Sequence, residues 1–567
     1  MSKTRNKSTG SIGKIKLNIE RKQCGLTPRD RQSSGLHLEE HTYKEDFVVT
    51  GKCQVCGMRC LGTIFKCTKC KLIVHKKCKE SFYLKCSGKE QPIDFPSPTF
   101  SRKNLQNGQH SFRKVTNPLS VQCFVCRELI LSDRCKCSIC NVNAHKKCVP
   151  FIKIQCKPIS SPEDEKDYHW FVETSNSKKN CVVCKSSCSV LHYKCAWCKL
   201  DVDSKCISQL PSTCFLGRLS KYVLPPRLVV EKDDWYEAVY DETKEPMVFF
   251  INNKSGGHAG KSIFEHALSV FNPAQVYNVL KGYERPFNFI KNYEDNFVAV
   301  ICGGDGTVGF LMNEFKRQNM KPKIFVIPLG TGNDMSISTG WGGGYDGEEI
   351  VPLLSQVYDA SVQDMDRWQV CVNDDEEPIH IFNNYFSVGI DAAIALIFDT
   401  RRKENPSMFS SRLANKIQYV MSSTPVLTAE NPIKNIKIRV DGRDIELPKV
   451  EGIAIINLPT YGGGNRFWPP CSTLERIYGF HDLHYNDGEI EIVGFTSALH
   501  LGACVSGTGV SKPLKIAQGK VIEIVLDQDT PCQFDGEPYM QSKCTLRISL
   551  YEKVRFIVKN LFDVNPK

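Results

Sequence analysis

The chain has 567 residues, 41% hydrophobic and 24% charged, with 28 cysteines and a formal net charge of +12. That length and apolar content suit several domains with cores of their own, which excludes disorder throughout. No run approaches the ~18 apolar residues of a membrane span, no apolar signal core follows the basic start, and Ser2 excludes N-myristoylation. The expectation is a soluble, cytoplasmic protein that reaches membranes only peripherally.

Charge and cysteines both divide near residue 217. The first 217 residues hold 38 Lys and Arg against 18 Asp and Glu, and the remainder 36 against 44. A basic front half favours polyanions, meaning an acidic membrane leaflet or nucleic acid. The same stretch carries 22 of the 28 cysteines, a density that in a reducing compartment points to metal ligation and not to disulfides.

A basic tail over 1–36 precedes three repeats, expected over 37–86, 110–156 and 169–214. The first places His41, Cys53, Cys56, Cys67, Cys70, His75, Cys78 and Cys86; the second places His110, Cys123, Cys126, Cys137, Cys140, His145, Cys148 and Cys156. The third has His169, Cys181, Cys184, Cys195, Cys198, Asp203, Cys206 and Cys214, with Asp203 where the others have their second histidine. Each repeat keeps ten residues between its Cys pairs, four before the His or Asp, two to the next Cys and seven to the last. Eight such ligands make two tetrahedral zinc sites, since Cys-x2-Cys lets two sulfurs reach one ion ~2.3 Å away. Four protein ligands leave no position for catalytic water, so the zinc is expected to be structural and to supply folding free energy. A Cys3Asp set should hold zinc more weakly. Stretches 91–98 and 157–167, rich in Pro and polar residues, are expected as linkers.

Spacing leaves open which four ligands share an ion. The string resembles the C1 domain, the diacylglycerol and phorbol-ester type of zinc finger. The resemblance implies interleaved sites: His41, Cys67, Cys70 and Cys86 on one ion, and Cys53, Cys56, His75 and Cys78 on the other, with repeats two and three alike. Cys60 and Cys188 resemble the additional thiols of cysteine-rich variants and are expected to be buried without a ligand role. The loops between Cys pairs are shorter than in typical lipid-binding C1 domains, and their Gln-Gly is absent. Diacylglycerol binding therefore stands beside scaffold, autoinhibitory or membrane-surface roles, protein partners included.

After a bridge over 215–226 the grammar changes. Apolar runs of strand length end in glycine loops: Met247 to Ile251 before Asn252-Asn253-Lys254-Ser255-Gly256-Gly257, Phe297 to Cys302 before Gly303-Gly304-Asp305-Gly306-Thr307, and Lys323 to Ile327 before Gly330-Thr331-Gly332-Asn333-Asp334. A helix is expected from Val308 to about Arg317. This is an α/β pattern with glycine turns at strand ends, where backbone amides can approach phosphates. Gly304-x-Gly306-x-x-Gly309 matches the dinucleotide fingerprint but lacks an acid about twenty residues on, and Ser255 to Ser262 misses the P-loop's first glycine.

These loops, followed by Met365-Asp366-Arg367-Trp368, Asn384-Tyr385-Phe386-Ser387-Val388-Gly389, Ala517-Gln518-Gly519 and Asp535-Gly536-Glu537-Pro538, resemble the diacylglycerol kinases. Three fingers ahead of the catalytic region most resemble the theta type. The implied fold is multidomain: three small zinc-stabilised C1 fingers, then a two-lobed lipid kinase with an α/β nucleotide lobe over 245–375 and a mainly β accessory lobe over 378–558. The implied reaction moves the γ-phosphoryl group of ATP, with Mg2+, to the primary hydroxyl of 1,2-diacylglycerol at the cytosolic membrane face, attenuating diacylglycerol signalling. Asn252, Lys254, Ser255, Gly256, Gly303, Gly304, Gly306, Thr307, Gly330, Thr331, Gly332, Asn333 and Asp334 are the expected nucleotide contacts. Asp305 is the expected magnesium ligand, Asp535 the base for the lipid hydroxyl and Glu537 its support. Asp391 is a candidate for the glycerol headgroup, or else a helix cap. Met365 to Trp368 is expected to pack lobes without chemistry. Expected partners are diacylglycerol and an acidic phospholipid surface; no base-reading pattern suggests nucleic acid. The alternatives are a catalytically weak adaptor and a sphingoid or ceramide kinase.

Overall fold

The computed structural model describes residues 42–52, 59–68, 73–76, 79, 108–115, 121–162, 169–174, 179–188, 192–347, 349–373, 375–404, 433, 435–506 and 511–559. Of the first repeat's expected ligands only Cys67 and His75 fall within them; His41, Cys53, Cys56, Cys70, Cys78, Cys86 and the tail over 1–36 lie outside the described residues, and of Cys60 only the backbone is described. The chain divides into two compact units: Met1–Ser220 with Leu224–Val239 and Glu265–Ala274, and Lys221–Val223 with Tyr240–Phe264 and Gln275–Lys567.

In the first unit the repeats of sequence are repeats of structure. Each contains a small antiparallel sheet, and the opening strand pairs in one register: Tyr43 faces Cys67, Phe112 faces Cys137 and Phe171 faces Cys195. After each described Cys-x2-Cys knuckle of repeats two and three the chain takes a left-handed residue: Arg127, Asn141, Lys185 and Lys199 have φ of 62°, 65°, 62° and 64°. Such a conformation is unfavourable for residues with a Cβ. Here it aims each of these amides at the carbonyl of the first cysteine in its pair, at 2.9–3.1 Å, which folds the two sulfurs to one side.

The second unit begins with β1 (Met247–Ile251), α1 (Ala259–Val270), β2 (Val276–Asn278), β3 (Val298–Gly303), α2 (Asp305–Arg317), β4 (Lys323–Pro328) and the short α3 (Asp334–Ser338). The second half of α1 is counted with the first unit. Strands β1 to β4 are parallel, in the order β2-β1-β3-β4. Helices cover such sheets on both faces, so β1 and β3 are buried at every position. Val308, Leu311, Met312 and Phe315 recur at helical spacing and form the buried stripe of α2.

Next come β5 (Ser361–Val372), β6 (His380–Phe382), β7 (Tyr385–Gly389), α4 (Ile390–Glu404), β8 (Lys437–Val440), β9 (Arg443–Ile445), β10 (Gly452–Ile456) and β11 (Ile490–Phe495). The chain continues with α5 (Ala498–Val505), β12 (Leu514–Gly519), β13 (Val521–Leu526), β14 (Thr530–Phe534), β15 (Glu537–Gln541) and β16 (Cys544–Val558). One six-stranded sheet has the order β12-β11-β10-β7-β14-β15. Its residues alternate between two cores. Phe386, Val388, Ile453, Ile455, Ile490 and Ile492 face one core, shared with β5, β8, β13 and β16, while Ala454, Ile456, Val493 and Phe495 face the other, against α4 and α5.

The lobes are less separate than the sequence suggests. Strand β16 pairs with β5 along most of its length and with β13 over Cys544–Ser549, and adjoins β4, so the four parallel strands, β16-β13-β8-β9 and the branch β5-β6 are one ten-stranded sheet. A strand more than 200 residues further along the chain thus extends the parallel sheet beyond β4.

Candidate active site and zinc centres

Three glycine loops meet at the carboxyl ends of β1, β3 and β4, the edge at which open parallel sheets bind ligands. Two of them touch through backbone: a Cβ on Gly304 would lie 2.9 Å from the Cα of Gly330, and one on Gly330 would lie 2.5 Å from the Cα of Gly304. Glycine is needed here for close approach. Asn333, with φ of 61°, braces the third loop: its Oδ1 accepts from the Gly330 amide at 2.8 Å, and its Nδ2 donates to Gly330 O at 2.9 Å and Gly343 O at 2.8 Å. In the first loop Asn252 Oδ1 accepts from the Lys254 amide at 3.1 Å, and Lys254 is exposed. Ser255 is half-buried, Gly256 exposed, and Gly306 and Thr331 are exposed on their loops, while Thr307 sits behind Gly303.

Carboxylates gather at this edge. Asp305 opens α2 and accepts from the amides of Asp334 at 2.9 Å and Met335 at 3.3 Å. Desolvation first, then the Asp334 carboxylate and more weakly Asp535, push its pKa up to about 7 in spite of those amides. Asp334, buried, accepts from the amides of Gly463 at 2.9 Å and Gly464 at 3.0 Å. Both carboxylates flank Gly332, where a Cβ would lie 3.3 Å from Asp334 Oδ2 and 3.5 Å from Asp305 Oδ2. A pair of acids whose mutual repulsion disfavours ionisation is a hard-oxygen donor set that a divalent cation would relieve.

Asp535 lies in the turn between β14 and β15, with φ of 45° beside Gly536 at 88°. Its carboxylate crosses to the start of β7. Oδ2 accepts from the Asn383 amide at 2.8 Å and from Asn383 Nδ2 at 2.9 Å; Oδ1 accepts from the amides of Asn384 at 2.7 Å and Tyr385 at 3.1 Å. Desolvation nonetheless raises its pKa above the usual carboxylate range. The turn reading and a placed carboxylate are therefore both present in one residue. Glu537 is exposed on β15.

Asp391 does not meet its expectation as a headgroup contact. It is 0% exposed in the first turn of α4, where its carboxylate accepts from Ser387 Oγ at 2.8 Å and from the Tyr461 hydroxyl and Gln533 Nε2. Three donors on a sealed acid tie β7, α4 and β14 together, and no surface is left for a lipid.

Two residues near the site carry more than sequence reasoning assigned them. Arg367, 1% exposed, donates from Nε to Asn383 Oδ1 at 2.8 Å and pairs with Glu552 and Asn313, so it fixes the residue that holds Asp535. Gly309 of α2 leaves room for Asn383, whose Nδ2 would lie 3.0 Å from a Cβ there. The signal was present in Arg367 within Met-Asp-Arg-Trp, a charge on a strand that its neighbours bury. Trp368, with Nε1 donating to Asn457 Oδ1 at 3.0 Å, does pack as expected.

In the first unit the thiols and imidazoles cluster in interleaved sets. His110, Cys137, Cys140 and Cys156 form one group; Cys123, Cys126, His145 and Cys148 a second; His169, Cys195, Cys198 and Cys214 a third, all with ligand atoms within 4.8 Å of one another. Cys137 and Cys156 sulfurs are 3.8 Å apart, as are Cys195 and Cys214, the edge of a tetrahedron with ~2.3 Å bonds. His110 places Nδ1 3.3 Å from Cys140 Sγ and Nε2 2.9 Å from Ile154 O, which fixes the tautomer that leaves Nδ1 free to ligate. The chemistry and geometry of these sets fit zinc. The fourth group is Cys181, Cys184 and Cys206 alone; the buried Asp203 carboxylate is not among them. Cys188 is buried and lies outside these four groups.

Glycine loops and the Asp305 and Asp334 carboxylates thus lie at one edge of a parallel α/β sheet, Asp535 stands on a hairpin of the adjoining antiparallel sheet, and clusters of three cysteines and a histidine occupy the same chain. The family models described as diacylglycerol kinase catalytic domain and accessory domain match residues 246–370 and 381–538, and the phorbol esters/diacylglycerol binding domain (C1 domain) matches 110–159 and 169–217. The chain belongs to the diacylglycerol kinase family, in its C1-bearing form. It is 30% identical over 527 residues to the Caenorhabditis elegans protein named Probable diacylglycerol kinase 3, covering 81% of this chain and 65% of that one. It is 26% identical over 546 residues to diacylglycerol kinase iota of Mus musculus, covering 81% and 51%. The chain thus spans between half and two thirds of these relatives. A crystal structure of a diacylglycerol kinase from Bacillus anthracis str. Sterne aligns with 16% identity and a TM-score of 0.37, covering 56% of this chain and 98% of that one. Among the described residues no helix is long and apolar enough to cross a membrane.

Proposed function

We propose that the protein transfers the γ-phosphoryl group of ATP to the primary hydroxyl of 1,2-diacylglycerol, yielding phosphatidate and ADP. The observation that carries this reading is the meeting of three glycine loops with the Asp305 and Asp334 carboxylates at one sheet edge, in a chain of this family. Such transfer needs little covalent work from protein; it needs phosphate charge neutralised, the hydroxyl aligned and its proton accepted. Amides of Gly303, Gly304, Gly306 and the Gly330 to Gly332 loop suit phosphate oxygens, with Lys254 as the cationic contact and hydroxyls from Ser255, Thr307 and Thr331. Asn252, Gly256 and Asn333 shape the loops that present them.

Magnesium fits the acidic set at Gly332: Asp305 would hold it directly or through water, with Asp334 beside it, and it would supply charge neutralisation at the phosphates. Asp535, with Glu537 nearby on the same hairpin, is the proposed acceptor of the lipid's proton, and its raised pKa suits that work. Its four donors favour a second role as the anchor of residues 383–385. The basic first 217 residues suit an anionic leaflet, at which we place the reaction as a step that removes diacylglycerol signal.

The test is a labelled-ATP assay on mixed micelles offering diacylglycerol, ceramide and sphingosine. Label in phosphatidate alone is the expected result. Product from ceramide or sphingosine with none from diacylglycerol would overturn the substrate, and no lipid product at all would favour an adaptor.

A further inference from the structure

Helix α1 ends at Val270, and its closing residues, Glu265–Ala274, belong to the same compact unit as the fingers. The last turn of any helix leaves carbonyls without intrahelical donors, at the negative end of its dipole. Two finger lysines occupy that end. Lys157, 1% exposed, donates from Nζ to Phe271 O at 2.6 Å and lies 3.3 Å from Ser269 O and Val270 O and 3.5 Å from Leu268 O. The Trp197 ring centre is 4.1 Å from the same ammonium. Lys199 brings a second Nζ to Ser269 O while also donating to Ala196 O at 2.7 Å. Around them Asn272 Nδ2 donates to Ile159 O at 2.8 Å, and Arg113 pairs with Glu265 at 2.7 Å.

Both lysines directly follow cysteines of the zinc sets, Lys157 after Cys156 and Lys199 after Cys198. The backbone that carries each ammonium is therefore the backbone that the metal would hold. The other end of α1 leaves the first glycine loop without slack, since a Cβ on Gly260 would fall 2.2 Å from Asn252 O. A 12-residue helix, ~18 Å long, moves as a rod, so its two ends are not independent.

We propose that Lys157 and Lys199 are positioning residues for the nucleotide loop: fingers two and three clamp the C-terminal end of α1 and thereby set the place of Asn252 to Gly257 at its start. The inference rests on the reading of that loop as an ATP contact. It gives these fingers a task within nucleotide handling that needs no lipid in the finger.

The experiment compares full-length Lys157→Met, Lys199→Met and Lys185→Met proteins. Lys185 is an exposed knuckle residue of the same left-handed geometry and serves as control. Zinc content, hydrogen exchange over 265–274, and kcat and KM for ATP are measured for each. Expected are unchanged zinc, faster exchange over 265–274, and a KM for ATP raised about tenfold in Lys157→Met with kcat kept within about twofold, the size expected for loss of a charge-assisted hydrogen bond. Unchanged exchange and KM with zinc retained, or an equal effect in Lys185→Met, would overturn the proposal. Should Lys157→Met fail to fold, the half-buried Lys199→Met decides by the same readouts. If the parent protein phosphorylates no lipid, ATP affinity measured by equilibrium binding replaces KM, so the clamp is judged apart from the kinase reading.

Discussion

Replacing Asp535 by Asn changes one atom and separates a base from an anchor. In the parent each carboxylate oxygen receives two N–H donors, Asn383 N and Nδ2 on one side and Asn384 N and Tyr385 N on the other. An amide must turn its NH2 toward one pair. Asn383 cannot answer by rotating its own amide, because its Oδ1 already accepts from Arg367 Nε at 2.8 Å. Two donors in a desolvated place then lose their acceptor, at about 1–3 kcal/mol each. Removing a charge whose desolvation raises its pKa gives part of this back, so we expect a net loss of about 2–4 kcal/mol. Urea unfolding of the full chain measures the loss, and hydrogen exchange at Asn384 and Tyr385 should accelerate, alongside a fall in kcat. Unchanged stability and exchange with a kcat loss of about 10²-fold or more would refute the anchor and leave Asp535 as a base alone.

Gly304→Ala places a methyl 2.9 Å from the Gly330 Cα, where backbone must move; kcat/KM for ATP should fall by about 10²-fold with zinc content unchanged, as steady-state kinetics and metal analysis would show. Cys140→Ser should lose one zinc per chain, whereas Asp203→Ala should lose none, since its carboxylate stands outside the clustered sulfurs. Glu491, 0% exposed, has its pKa pushed up to about 9, chiefly by burial; the folded chain keeps a proton that the unfolded chain releases near pH 4.5, so stability falls as pH rises toward 9, by up to about 1.4 kcal/mol per unit. Glu491→Gln should flatten that dependence in denaturant titrations between pH 5 and 9.

What could be read from sequence is what neighbouring residues decide. The glycine loops were legible because strand, turn and helix follow within a dozen residues, and the clustered cysteines and histidines of repeats two and three because the repeats keep one spacing. The pairing of ligands needed a resemblance, since Cys137 meets Cys156 across 19 residues that a linear string does not fold. Contacts at long range were hidden. Nothing near Asp535 announces that it holds Asn383, 152 residues earlier, and nothing in β16 says that it completes a sheet begun at Met247. Asp391 misled for a related reason: an acid in a motif reads as chemistry, yet three donors from Ser387, Tyr461 and Gln533 make it interior.

Lys157 shows the same limit from the other side. Read locally it opens a proline-rich linker, and a lysine there should be solvated. It is instead among the most buried side chains of the chain, because four carbonyls at one helix end offer acceptors that no single stretch of sequence could display. Burial of that charge would be untenable without them. A buried lysine therefore marks where distant segments meet, and in this protein the two marked segments are the turn after Cys156 and the end of the helix that follows the first glycine loop. The division of charge at residue 217 follows the composition, but the working boundary does not lie there: part of the kinase fold, Glu265–Ala274, is packed with the fingers.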